Sequence, residues 1–131
     1  MSEVAYLEFE EVVEIQLQML DLYGGKVGFR GQEGQALVES ALNRPKNKAA
    51  YEMADLLAQA ASLFFGLAKN HGFLDGNKRV AVVACDAFLQ MNGWELACDN
   101  QTLIDFTLQC DQKSWTEDQV EAFVRQHARP L

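Results

Sequence analysis

The run from about Asn77 or Lys78 to Asn92 constrains the fold most. Val80, Val83, Ala84, Ala87, Phe88 and Met91 recur at alternating three- and one-residue steps, which lines one face of a helix. Ala81, Val82, Cys85 and Leu89 make much of the remaining surface apolar as well. A helix apolar nearly all round has to be covered from several sides, so its place is the centre of a bundle. Asn92-Gly93 closes it, and the rest of the chain must supply the cover.

The covering elements also read as helices. Phe9, Val12, Val13, Leu17 and Leu20 predict an amphipathic helix from about Phe9 to Tyr23, with Glu8, Glu10, Glu11 and Glu14 at the end where carboxylates suit the dipole. Gly24-Gly25 ends it, after a lead-in from Met1 to Leu7 too short to assign. Gly28 to Gly34 is turn-rich. A second helix is expected from about Glu33 to Leu42, closed by Arg44-Pro45, with Lys46 to Tyr51 as a basic connecting loop. A third is expected from about Met53 to Asn70, ended by Gly72, with His71 following on its apolar face. After the central helix come a short crossing segment, Trp94 to Ala97, and two helices, about Gln101 to Cys110 and Thr116 to His127. The last opens with Thr116 and Gln119 in capping-box spacing. The fold class is therefore all-α, one bundle of about six helices forming a single domain over residues 1–131.

Composition narrows the function classes. Apolar residues are 49% of the chain, but no uninterrupted run approaches the ~20 residues that span a bilayer. Met1-Ser2-Glu3-Val4 lacks the basic start and apolar core of a signal peptide, so a cytoplasmic location without membrane attachment is expected. Cys85, Cys98 and Cys110 have no CxxC spacing and read as packing residues. The net charge of −8 argues against direct nucleic-acid binding, which needs a basic footprint. From Lys26 to Arg79, however, the chain carries +3, leaving −11 on the flanks. That asymmetry makes the middle the place for an anionic ligand.

The chemistry concentrates in His71-Gly72-Phe73-Leu74-Asp75-Gly76-Asn77-Lys78-Arg79, just ahead of the central helix. An ordinary histidine, with a pKa near ~6.5, accepts a proton at neutral pH, so His71 can activate a hydroxyl. Asp75 suits Mg²⁺, which one or two carboxylates hold together with phosphate oxygens. Gly76 lets the backbone approach a ligand, Asn77 can cap the helix or bond a phosphate oxygen, and Lys78 and Arg79 offer a point charge and a planar fork. Plainer readings exist for each: an N-cap for Asp75 or Asn77, a helix-end histidine, a core anchor in Phe73, solvated charges in Lys78 and Arg79. Two cations in one first turn oppose the helix dipole, however, unless an anion is present. Together the residues are the parts of a phosphate-transfer site.

His71-x-Phe73-x-Asp75-Gly76-Asn77-Lys78-Arg79 resembles the signature of the Fic/Doc superfamily. Lys78, where Fic enzymes have Gly, looks like the Doc (death-on-curing) toxin branch. Tyr23-Gly24-Gly25, Leu37-x-x-Ser40-Ala41-Leu42-x-Arg44-Pro45, Ala68-Lys69-Asn70-His71 and Phe88-Leu89-x-x-Asn92-Gly93 extend the likeness over roughly Phe9 to Leu96. The resemblance implies a toxin of a toxin–antitoxin pair that transfers the γ-phosphate of Mg·ATP to a protein hydroxyl, with a threonine of elongation factor Tu as the target class, and so arrests translation. It implies His71 as general base, Asp75 as Mg²⁺ ligand, and Gly76, Asn77, Lys78 and Arg79 as phosphate holders. Lys69 is a further candidate for phosphate or substrate contact, and Lys46 to Tyr51 for placing the target peptide. It also implies a Phd-like antitoxin whose disordered C-terminal tail folds on the toxin.

Two departures stand out: Gly72 replaces a Pro common among relatives, which predicts a looser loop, and Val80 and Val83 are apolar where some relatives place polar side chains. Two other functions fit the same residues. One is an AMP-transferase of the Fic kind, and the other a non-enzymatic nucleotide- or anion-binding module.

Overall fold

In a computed structural model, residues 3–109 and 115–131 are described. Six helices and a two-stranded sheet appear among them: α1 (Phe9–Tyr23), α2 (Gly34–Glu52), α3 (Leu56–Asn70), α4 (Asn77–Met91), β1 (Trp94–Leu96), α5 (Asn100–Gln109), α6 (Glu117–His127) and β2 (Ala128–Pro130). The all-α reading holds. The α4 helix is central, as its apolar circumference requires: Val80, Ala81, Ala84, Cys85, Phe88 and Leu89 are all inaccessible. It shares the centre with α3, which packs on α2, α4 and α6. Gly66 permits the close approach of α2 to α3, since a Cβ there would lie 2.5 Å from Arg44 Cδ and 3.2 Å from Ala41 Cβ.

The second helix does not end at Arg44-Pro45. It continues to Glu52, so Lys46 to Tyr51 is helix rather than loop. A mid-helix proline forfeits one backbone bond and costs about 3 kcal/mol. Tertiary contacts offset that cost. Pro45 is buried, and Arg44 and Lys48, one turn apart, both bind the Glu117 carboxylate on α6. Arg44 Nε also donates to the Ser62 carbonyl at 3.2 Å. Met53, in the left-handed region at φ 54°, ends α2, and Asp55 caps α3 by accepting the Ala58 N–H at 2.9 Å.

The chain from Trp94 is a strand. β1 pairs antiparallel with β2, Glu95 opposite Arg129, which ties the C-terminal segment to the far end of α4. Thr116 and Gln119 form the expected capping box. Asn92 fastens the N-terminal lead-in by accepting the Ala5 N–H at 2.8 Å and donating to the Ala5 carbonyl at 2.9 Å. Cys85 is buried, and burial pushes its thiol far up. Cys98 is half-buried and raised for the same reason. Cys110, the expected end of the fifth helix, lies outside the described residues, as do Met1 and Ser2. No helix among the described residues is long and apolar enough to cross a membrane.

Candidate active site

The motif loop leaves α3 at His71, whose backbone is left-handed at φ 51°, ψ 44°, and whose side chain is exposed. Histidine tolerates that region better than bulky residues do, at a modest strain. Gly72 then turns the chain inward. It is buried, and a Cβ there would lie 2.7 Å from the Gly34 carbonyl oxygen and 2.7 Å from Val38 Cγ2. The glycine has a packing reason, because α2 lies where a side chain would go.

Phe73 is the anchor. Its ring is 1% exposed, stacks on Phe29 at 5.4 Å, and Phe29 in turn stacks on Phe9 at 5.8 Å. A short antiparallel bridge runs alongside. Arg30 N–H donates to the Gly72 carbonyl at 2.8 Å, and Leu74 N–H to the Gly28 carbonyl at 2.9 Å. The turn-rich Gly28 to Gly34 stretch thus braces the loop, a pairing that hydrophobic periodicity does not reveal.

Asn77 is buried, and both ends of its amide are engaged. Its Oδ1 accepts the Phe73 N–H at 3.0 Å and its Nδ2 donates to the Phe73 carbonyl at 2.9 Å. The amide expected to cap the helix or meet a phosphate closes the loop on itself through these two bonds. The N-cap is neither Asp75 nor Asn77 but Gly76, at φ 81°, ψ 10°, which has no side chain to cap the first turn. That turn carries no acidic residue and places Lys78 and Arg79 at the positive end of the macrodipole. Backbone N–H groups, dipole and cations there all favour an anion.

Asp75 sits beside this turn. Its Oδ2 accepts the Lys26 N–H at 2.7 Å, and its carbonyl accepts from Gln16 Nε2 at 3.3 Å. Gln16 is 2% exposed, a polar residue on the buried face of α1. That misfit in the apolar pattern was the available signal of its role. A carboxylate with one hydrogen bond keeps lone pairs for a cation. Among the described residues no group of three or more His, Cys, Asp or Glu side chains is arranged to hold a metal ion. A single carboxylate such as Asp75 is the kind of ligand that Mg²⁺ takes when it arrives with phosphate oxygens. Glycine at 25 and 76 leaves backbone rather than side chains beside Asp75 and the start of α4.

The other candidates are placed differently. Arg79 lies over the Tyr23 ring, 4.5 Å from its centroid. The Lys69 ammonium lies over the Phe65 and Trp115 rings, at 5.9 and 5.6 Å. Lys46 to Tyr51 does not flank the motif. Asn70, at the motif end of α3, donates to the Leu37 carbonyl, whereas the Ala54 N–H donates to the Lys48 carbonyl at the opposite end of that helix. Lys48 lies eleven residue steps along the helix from Leu37, a rise of about 16 Å.

These observations describe an all-α protein that presents a histidine, a carboxylate and two cations where a buried helix begins. The Fic/DOC family model matches residues 6–89. The toxin Doc of Mycolicibacterium smegmatis is 36% identical over 101 residues, covering 72% of this chain and 69% of that protein. The protein kinase doc of Escherichia phage P1 is 32% identical over 100 residues, covering 76% of each. The chain belongs to the Fic/Doc family, in its Doc toxin branch.

Proposed function

We propose that the protein is the toxin of a toxin–antitoxin pair and a kinase that moves the γ-phosphate of ATP to a protein hydroxyl. The observation that carries the reading is the first turn of α4. It starts at a glycine with no side-chain cap, bears Lys78 and Arg79 and no acid, and lies a few residues beyond the exposed His71. A relative named protein kinase doc supports phosphate as the transferred group.

In this reading Lys78, Arg79 and the N–H groups from Gly76 to Arg79 hold the phosphates. Asn77 keeps those N–H groups in place through Phe73. His71 accepts the proton of the target hydroxyl as its oxygen attacks the γ-phosphorus. The bond to the β–γ bridging oxygen breaks, and ADP leaves with the electron pair. Asp75, steadied by the Lys26 N–H, would hold Mg²⁺, which would supply neutralisation of charge on the phosphates. The target class is a threonine of elongation factor Tu, whose modification arrests translation. Leu17, Leu22 and Val27 on the α1 side, with Leu74 of the loop, are exposed apolar side chains suited to the helix of a Phd-like antitoxin tail.

The test is label transfer to purified elongation factor Tu from γ-labelled and α-labelled ATP with Mg²⁺. Label from the γ position and a gain of about 80 Da are expected. Label from the α position and about 329 Da would instead identify an AMP-transferase. No transfer, with growth arrest undiminished by His71→Ala, would identify a non-enzymatic binding module.

A further inference from the structure

The segment that ends α1 touches the motif at two points. Tyr23, the last residue of α1, sets its ring against the Arg79 guanidinium, 4.5 Å from Cζ to centroid. Three residues on, Lys26 donates its N–H to Asp75 Oδ2 at 2.7 Å. Between them Gly24 and Gly25, at φ 81° and 126°, turn the chain. Gly25 passes so near the loop that an added Cβ would lie 3.1 Å from Asp75 Cβ. Four consecutive residues thus hold both the cation and the carboxylate assigned to phosphate and metal.

Tyr23 is 61% exposed, so burial in the core does not account for its place. Arg79 is exposed as well, on the first turn of α4. A long side chain in that position samples many rotamers and loses that freedom when it binds. An aromatic face restricts the guanidinium to a plane while leaving the N–H donors at its edge available to an anion. We propose that Tyr23 is a positioning residue whose ring holds Arg79 ready for a nucleotide phosphate at the start of α4. This inference rests on the phosphate-site reading above.

Two measurements test it. In ¹H–¹⁵N spectra, the Arg79 Nε–H signal should carry a ring-current shift in the parent and in Tyr23→Phe, and lose it in Tyr23→Leu. Calorimetry with Mg²⁺ and the non-hydrolysable ATP analogue AMPPNP should show Tyr23→Phe binding like the parent. Tyr23→Leu should bind about three- to fivefold more weakly, the size of an exposed cation–π contact. In an Arg79→Gln background, Tyr23→Leu should cost nothing further. An Arg79 signal indifferent to Tyr23→Leu, or an equal loss of affinity with and without Arg79, overturns the positioning role alone. Failure of the parent chain to bind AMPPNP overturns the phosphate-site reading and this proposal with it.

Discussion

At position 72 one methyl group decides whether α2 can lie against the motif loop. The Gly34 carbonyl oxygen and Val38 Cγ2 would each meet a Cβ at 2.7 Å, and a backbone oxygen cannot swing aside as a side-chain tip can. Gly72→Ala should therefore lower stability by about 1–3 kcal/mol, the range for overpacked sites, read as a fall in the denaturant midpoint. Residues 71 and 77 should separate chemistry from support. His71 is exposed and already left-handed, so His71→Asn, a residue at ease at positive φ, should abolish transfer while leaving Tm close to the parent's. Asn77→Ala orphans a buried N–H and a buried carbonyl of Phe73. It should lower Tm as well as activity, by about 2–4 kcal/mol in stability. Equal melting curves for the two variants would contradict the loop-closing role of Asn77.

Between elements, charge decides what propensity leaves open. The α6 carboxylate of Glu117 takes both Arg44 and Lys48, on either side of a proline that would otherwise end α2. Glu117→Gln should leave the two cations to repel each other and lower stability by about 1–2 kcal/mol with little change in m, measured in urea. Burial alone would lower the Lys48 ammonium, but the hydrogen bond and charge of Glu117 outweigh it and raise the group overall. A raised lysine contributes fully below the ordinary lysine pKa and loses that contribution as pH climbs through its folded value. The second tie between elements has the opposite sign. The Arg125 hydrogen bond outweighs the opposing effect of burial and, with lesser help from the Ala58 N–H and the guanidinium charge, holds the Asp55 carboxyl below its ordinary value. That contribution is present above the ordinary aspartate range and is lost as pH falls below it. The pair is exposed, so its worth is about 1 kcal/mol or less. Arg125→Met should flatten the loss of stability below about pH 4 and leave the alkaline limb unchanged, as read from denaturation midpoints across pH.

Across the whole molecule, the two ends of α4 serve different purposes. Its N-terminus carries the motif. Its C-terminus is tied down by Asn92 on Ala5 and by β1 pairing with β2, with the Leu131 N–H donating to the Gly93 carbonyl at 2.9 Å. The helix has 15 residues, so about 22 Å of helical rise separates the two regions. Removing residues 128–131 deletes β2 and the buried Ala128. It should lower stability by about 2 kcal/mol, from a few hydrogen bonds and one buried side chain. Affinity for Mg·AMPPNP at low temperature should stay within about twofold of the full chain's, since the deletion touches nothing at the motif. A large loss of affinity in chains that remain folded would mean the two ends are coupled.

Much of this was legible in the chain because it is local. The bounds of α1, Phe9 to Tyr23, follow from apolar spacing and a terminal glycine pair, and the capping box at Thr116 and Gln119 from two residues three apart. The central place of α4 follows from its apolar circumference. The motif was likewise legible as a cluster of residue types, and its family likeness spans most of the chain. Contacts between distant segments were not, since hydrogen-bond partners far apart in sequence leave no periodic trace in either. Glu117 carrying α2 past Pro45, Phe29 bridging to Phe73 and β2 finding β1 were all decided by packing.

The stretch from His71 to Arg79 divides along the same line. Its residues determine that a histidine, a carboxylate and two cations stand at the start of a buried helix, because helix spacing and the dipole act within the segment itself. Only the tertiary structure decides how they are held. The far end of α1 must come alongside before the Lys26 N–H can meet Asp75 and the Tyr23 ring can meet Arg79, and side chains separated by about fifty residues meet only when the core between them has formed.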